Sequence, residues 1–310
     1  MWYSMFHCPI DSADFREIGG ACESAAGGNF FMMIITDSAS DITAKEAEEM
    51  GIRIVWLKTR FSDGDFPMET EEDFDRFFVK LAEEKELPVT SQPSPKEYLK
   101  YFEEAKEKDE EVLVITLSSG LSGTINAANV AKQTSEYDKI TVIDSEQNII
   151  TQRFLVQKAV KMRDSGKSIS EIANAINDLK KRVTVCGMLD TLTYLKKGGR
   201  IPAALAVVGN LLHIKPVIDL RDKTLTMLGK ARGRSGGMKY LWDEFESYEV
   251  DLSEPVYFGY TSDKALSEKI MEDTVKKYGI QKYCLYPVGG IIGTHVGPSC
   301  VAISFVKKAE

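Results

Sequence analysis

Residues 118 to 124, Ser-Ser-Gly-Leu-Ser-Gly-Thr, place four hydroxyls and two glycines between a run of β-branched residues and an alanine-rich helical pattern. In open parallel sheets, ligands sit beyond the C-terminal strand ends, where a helix N-terminus offers free N–H groups and a positive dipole end. Gly120 and Gly123 permit close backbone approach, and Ser118, Ser119 and Thr124 add hydroxyl donors, so the loop reads as a cradle for an oxyanion. Helix capping is the plainer alternative. A second cluster, Thr90 and Ser91 in "PVTSQPSP", repeats this chemistry and is expected at a neighbouring parallel strand end, where the two loops could converge on one anion.

Three further positions carry charge or a titratable ring. Arg200 follows Gly198-Gly199 and precedes Pro202, which is placed to open an apolar helix; its guanidinium suits a carboxylate or phosphate. His295, in "GTHVGP", is expected in a loop between strands, as an anion donor or a proton carrier. Lys230, Arg232 and Arg234 form a basic spot at a strand end, suited to phosphates or an acidic partner, and a solvated turn is the plainer alternative.

Several chemistries are unsupported by spacing. "GLSGT" has Thr124 where a G-x-S-x-G nucleophile elbow needs glycine, no G-x-x-x-x-G-K-[ST] occurs, and "GRSGG" does not fit G-x-G-x-x-G. Three separated histidines suggest no metal site. The five cysteines (Cys8, Cys22, Cys186, Cys284, Cys300) have no C-x-x-C spacing and read as reduced and cytosolic. A net charge of -8 argues against nucleic acid, and no apolar run reaches the roughly 18 residues of a membrane span.

The elements that must position these residues alternate. From Met32, strand, helix, strand, helix succeed one another, with Phe74, Phe77, Phe78 and Leu81 at the spacing of a buried helical face and a capping box at "SPKE". This βα series predicts an N-terminal three-layer α/β/α domain on a parallel sheet, residues 32–165, with "IRIVWLK" as one of its strands. The polar turn "DSGKS" is the boundary expected before an α/β domain, residues 166–310, whose six strand candidates include a hairpin across "RDK" and therefore form a mixed sheet. Residues 1–31 read as an upstream extension or expression remnant outside the fold.

Taken in order, "IITDSASDI", "TSQPSP", "ITLSSGLSGT", "VIDSE", "YLKKGGRI", "GKARGR" and "IGTHVGP" resemble the DegV family of bacterial fatty-acid-binding proteins. The resemblance implies a two-domain, cytoplasmic, non-catalytic subunit of a two-component fatty acid kinase. It would hold one long-chain fatty acid in a tunnel and present the carboxylate to a separate ATP-binding kinase protein, which forms the acyl-phosphate used in phospholipid metabolism. It implies no cofactor, and membrane contact only transiently, for lipid exchange. By motif position, Thr90 or Ser91 and Ser118 or Ser119 would bind the carboxylate, Arg200 and His295 would sit beside it, and Lys230, Arg232 and Arg234 would dock the kinase. A lipid carrier or sensor without a kinase, and a serine hydrolase using Ser118 or Ser119 with His295, are the competing functions.

Overall fold

The structure, a computed structural model, describes residues 32–201 and 214–309. Its first sheet is built from β1 (Met32–Asp37), β2 (Arg53–Val55), β6 (Glu111–Thr116) and β7 (Ile140–Asp144), all parallel, in the order β2-β1-β6-β7. Every residue of β1 is buried, as expected of a central strand covered on both faces. One face is covered by α3 (Pro95–Glu107) and α4 (Thr124–Ser135), through Tyr98, Phe102 and Ala128. The other is covered by α5 (Ile149–Asp164) and α6 (Ile169–Arg182), with the short α1 (Ala44–Glu49) against β2.

All six second-half strand candidates are present, as β8 (Val183–Met188), β9 (Ile214–Arg221), β10 (Thr224–Arg232), β11 (Val256–Tyr260), β12 (Tyr283–Pro287) and β13 (Val301–Val306). They make one mixed sheet, ordered β10-β9-β8-β13-β11-β12, in which only β11 and β12 pair in parallel. β9 and β10 are joined through Asp222 and Lys223, both at positive φ (47° and 70°), the backbone of a two-residue type I′ hairpin. Also in this half are α7 (Thr193–Lys197), α8 (Gly233–Glu246), α9 (Lys264–Tyr278) and α10 (Gly290–Val296).

Two expectations are corrected here. "IRIVWLK" is not one strand: Leu57 N–H donates to Ser38 Oγ at 2.9 Å, and the chain leaves the parallel sheet after Val55. It then forms β3 (Lys58–Phe61), which with β4 (Gly64–Phe66) and β5 (Val89–Ser91) makes a third, antiparallel sheet beside α2 (Glu71–Glu83). Thr90 and Ser91 therefore lie on an antiparallel strand, not at a parallel strand end. Cys186 and Cys300 are free and buried.

The core continues from one large sheet to the other through α5, whose residues 149–156 are all buried. That stretch includes Arg153, which binds Glu46 Oε1 at 2.6 Å, donates to the Asp41 carbonyl and lies 4.2 Å over the Tyr286 ring. Nearby, Asp37 ties three segments together by accepting from Leu117 N at 2.7 Å, Ala39 N at 3.1 Å and Gln152 Nε2 at 3.2 Å. Burial pushes its carboxyl up to about 6, against the pull of those donors.

Asp41 is pushed up to about 8, chiefly by burial and despite Arg153. A carboxyl raised in the folded state contributes stability that is full below its unfolded value near 4 and is lost as pH rises toward 8. Asp41→Asn removes this dependence, and asparagine tolerates the left-handed φ of 54° found here. The variant is expected to gain stability over the wild type as pH rises from 5 to 8, by at least about 1 kcal/mol at the upper end. Urea denaturation at both pH values measures this; an unchanged difference would exclude a buried, protonated Asp41.

Candidate functional site

Between the C-terminal edge of the parallel sheet and one face of the mixed sheet lies a cavity lined by residues of both. Its walls are mostly aliphatic, with Val185, Ile218 and Leu220 from the mixed sheet facing Leu117, Ile149 and Ile291. Its polar lining comprises Thr90, Ser91, Gln92, Ser122, Arg200 and His295, linked through the Thr90–His295 contact and the reach of Arg200 to Leu121 and Gly198, together with Asn148 and Asp219.

Four of the six expected ligand-binding residues thus line one cavity: Thr90, Ser91, Arg200 and His295. Ser118 and Ser119 do not. The chain turns back on itself, with Leu121 N and Ser122 N both donating to Ser118 O, so that Ser118 points away from the cavity and Ser122 takes its place. Ser118 Oγ is buried and donates to the Lys223 carbonyl at 2.8 Å, fastening the loop to the β9–β10 turn. Ser119 is exposed, and its N–H donates to Asp144 Oδ1 at 3.1 Å. Gly120 serves the same seam, because a Cβ there would collide with the Lys223 carbonyl. Ser122 Oγ lies 2.9 Å from Thr124 Oγ1.

His295 lies on α10, which corrects the loop expected from its flanking glycines. Those glycines allow close packing: a Cβ on Gly290 or Gly293 would come within 2.7 Å of the Phe77 or Phe78 ring, so only glycine lets α10 rest on α2. Gly297, at φ 75°, then ends the helix. This seat aims His295 Nε2 at Thr90 Oγ1, 3.0 Å away. Burial, with the nearby Arg200 charge, lowers the imidazole to about 4, so the ring is neutral near pH 7. Nδ1 has no hydrogen-bond partner and faces Gly198, where a Cβ would strike it. Because buried N–H groups rarely stay unpaired, the ring proton belongs on Nε2. Nε2–H then donates to Thr90 Oγ1, leaving the threonine hydroxyl proton for a ligand oxygen.

Arg200 donates from Nη1 to Gly198 O at 2.9 Å and from Nε to Leu121 O at 3.4 Å. The helix expected from Pro202 falls outside the described residues. Gln92 was not anticipated from sequence; its carboxamide packs on Gly123 at the start of α4, where a Cβ would collide with it. Asn148, at the N-terminus of α5, was also missed and lines the same cavity.

A serine-hydrolase geometry is not assembled, because the imidazole is paired with Thr90 while the Ser118 hydroxyl is held by a backbone carbonyl. Lys230, Arg232 and Arg234 are exposed where β10 hands over to α8, outside the cavity lining, with Arg234 3.5 Å from Asp263. Among the described residues there is no cluster of three or more metal-ligating side chains, and no helix is long and apolar enough to cross a membrane.

Two large α/β sheets enclosing an aliphatic cavity with one hydroxyl, imidazole and guanidinium end define a protein built around a deep internal site. The DegV family profile, described as "Uncharacterised protein, DegV family", matches residues 32–308, and the chain belongs to that family. Protein DegV of Bacillus subtilis is 30% identical over 279 residues, covering 89% of this chain and 99% of that protein. Protein YteA of Lactococcus lactis, a DegV domain-containing protein, is 30% identical over 282 residues, covering 89% and 97%. The crystal structure of B. subtilis DegV, described as a fatty acid binding protein, superimposes with a TM-score of 0.77 at 28% identity over 90% of this chain and all of that one. A stearic acid-binding protein from Eubacterium ventriosum gives a TM-score of 0.75 at 26% identity, covering 89% and 98%.

Proposed function

We propose that this protein binds one long-chain fatty acid in the cavity, with the carboxylate at the Thr90–His295 end. The observation that carries this reading is an aliphatic cavity whose polar end holds a neutral imidazole orienting a threonine hydroxyl. Burying a dozen methylenes supplies on the order of 10 kcal/mol gross at about 0.8 kcal/mol each, so the tail dominates affinity and the polar end sets direction. Thr90, Ser91 and Ser122 hydroxyls and the Arg200 guanidinium hold the carboxylate without covalent change. Residues 32–165 form the head-group unit, and residues 166–310 complete the tunnel. Native mass spectrometry of the purified protein, followed by lipid release, tests this. A stoichiometric fatty acid is expected; a bare chain that takes up no added fatty acid would defeat the reading.

The carboxylate is presented to a separate ATP-binding kinase protein in the cytoplasm, where one of its oxygens attacks the γ-phosphorus of ATP, the bond from that phosphorus to the β,γ-bridging oxygen breaks, and acyl-phosphate and ADP result. This chain supplies orientation and, through Arg200, electrostatic support, while the partner supplies the nucleotide. The exposed Lys230, Arg232 and Arg234 dock that partner, and membrane contact is limited to lipid exchange. The protein with ATP and lipid alone forms no acyl-phosphate under this reading. Reversing charge at Arg232 and Arg234 should abolish partner capture while fatty acid binding stays intact. Unaltered capture, or the lack of any kinase partner, would favour a lipid carrier or sensor.

A further inference from the structure

Head-group binding leaves several polar side chains of the cavity wall unused, Gln92, Asp219 and Asn148 among them, and Asn148 is the one that stands at a helix N-terminus. Asn148 is 6% exposed and lines the cavity, and its Oδ1 has no hydrogen-bond partner. As the N-cap of α5 it stands where asparagine ordinarily accepts from the first turn of its helix, yet its side chain makes no such bond. The next residue, Ile149, also lines the cavity and sits at φ 41°, a left-handed backbone that β-branched residues rarely adopt. The chain thus tolerates strain beside an uncapped helix while an amide faces an aliphatic space. Buried polar groups are nearly always paired, so this amide calls for a partner that enters with the ligand.

Its place along the cavity identifies that partner. Gln147 accepts from Ser118 N through its carbonyl and donates through Nε2 to the Val183 carbonyl at 3.4 Å, which sets Asn148 beside the start of β8. Thr90 and His295 belong to the other end, because α7 follows β8 and Gly198, just after α7, packs on the imidazole. β8 separates the two by roughly 3.3 Å per residue, so Asn148 faces the body of an acyl chain whose carboxylate is at His295. Val185, Leu220 and Leu225 line the same region and offer the amide no partner. An asparagine amide presents both an acceptor and donors, which a hydroxyl or keto oxygen on the chain can meet and a plain methylene cannot.

We propose that Asn148 selects an oxygenated acyl chain, a hydroxy- or oxo-fatty acid, over an unsubstituted one. This inference rests on the fatty acid reading and narrows it. Competition of stearic acid against the monohydroxy 18-carbon acids, one hydroxyl position at a time, tests it by displacement from the intact protein. The wild type is expected to favour a narrow range of positions by about tenfold over stearic acid. Asn148→Leu is expected to hold stearic acid at least as well as the wild type and to show no preference; Asn148→Ala gives the same readout without added bulk. Equal affinity of the wild type for every acid, or a preference that survives both substitutions, overturns the proposal while leaving fatty acid binding in place. Failure of the wild type to bind stearic acid or any of its hydroxy analogues would instead remove the fatty acid reading itself, and this inference with it.

Discussion

Arg153→Met is expected to lower stability by about 3–5 kcal/mol, the usual penalty for breaking a buried ion pair from one side. Arg153 is the largest fully buried side chain among the described residues, and it sits on α5 between the two large sheets. Its guanidinium binds the Glu46 carboxylate, donates to the Asp41 carbonyl and covers Tyr286. Burial pushes Glu46 up, but Arg153 and the Thr43 donors hold it below the usual carboxylate range, so the pair is charged on both sides. Methionine fills similar apolar volume but leaves the Asp41 carbonyl unpaired and Glu46 facing an uncharged neighbour. Urea unfolding measures the loss. Adding Glu46→Gln to the same chain should recover part of it, because the stranded charge is then gone. A loss below about 1 kcal/mol for the single variant would mean that α5 is held by its aliphatic face alone.

This joint was only half legible in the sequence. Nothing local distinguishes a turn aspartate after a strand from Asp37, which accepts from Leu117, 80 residues away. Alternating strands and helices, and the six strands of the second half, were legible because burial on a sheet face leaves a periodic trace in the residues themselves. The small β3–β5 sheet left only a faint trace, because its strands are three or four residues long. β2 and β3 are separated by only two residues, and whether Leu57 continues a strand or turns toward Ser38 is settled by a hydroxyl on another element.

The site shows the same division. Thr90 stood out by its hydroxyl at a strand exit, and Arg200 and His295 by their chemistry beside glycines; all three line one cavity. That Ser122 rather than Ser118 lines the cavity was out of reach, because it follows from the loop docking on the β9–β10 turn, 105 residues further on. His295 was placed in a loop for a similar reason. Glycines spaced for helix packing on Phe77 and Phe78 look, in one dimension, like glycines of a turn.

Thr90→Val is expected to weaken fatty acid binding about 10- to 100-fold, the range for losing a hydrogen bond to a charged group. Valine matches threonine in shape and keeps a β-branched residue on β5, so the fold should persist, whereas Thr90→Ser should retain most of the affinity. The two variants separate the hydroxyl from the packing. The loss has two parts: the ligand carboxylate forgoes a donor, and His295 Nε2–H forgoes its acceptor inside a site that already leaves Nδ1 unpaired. The second part also acts without ligand. Thr90→Val should therefore lower the stability of the empty protein modestly, and adding fatty acid should stabilise it less than it does the wild type. Thermal unfolding with and without stearic acid reads both terms. Equal ligand-induced shifts in the wild type and Thr90→Val would place the carboxylate elsewhere in the cavity, because the apolar tail contributes the same stabilisation to both.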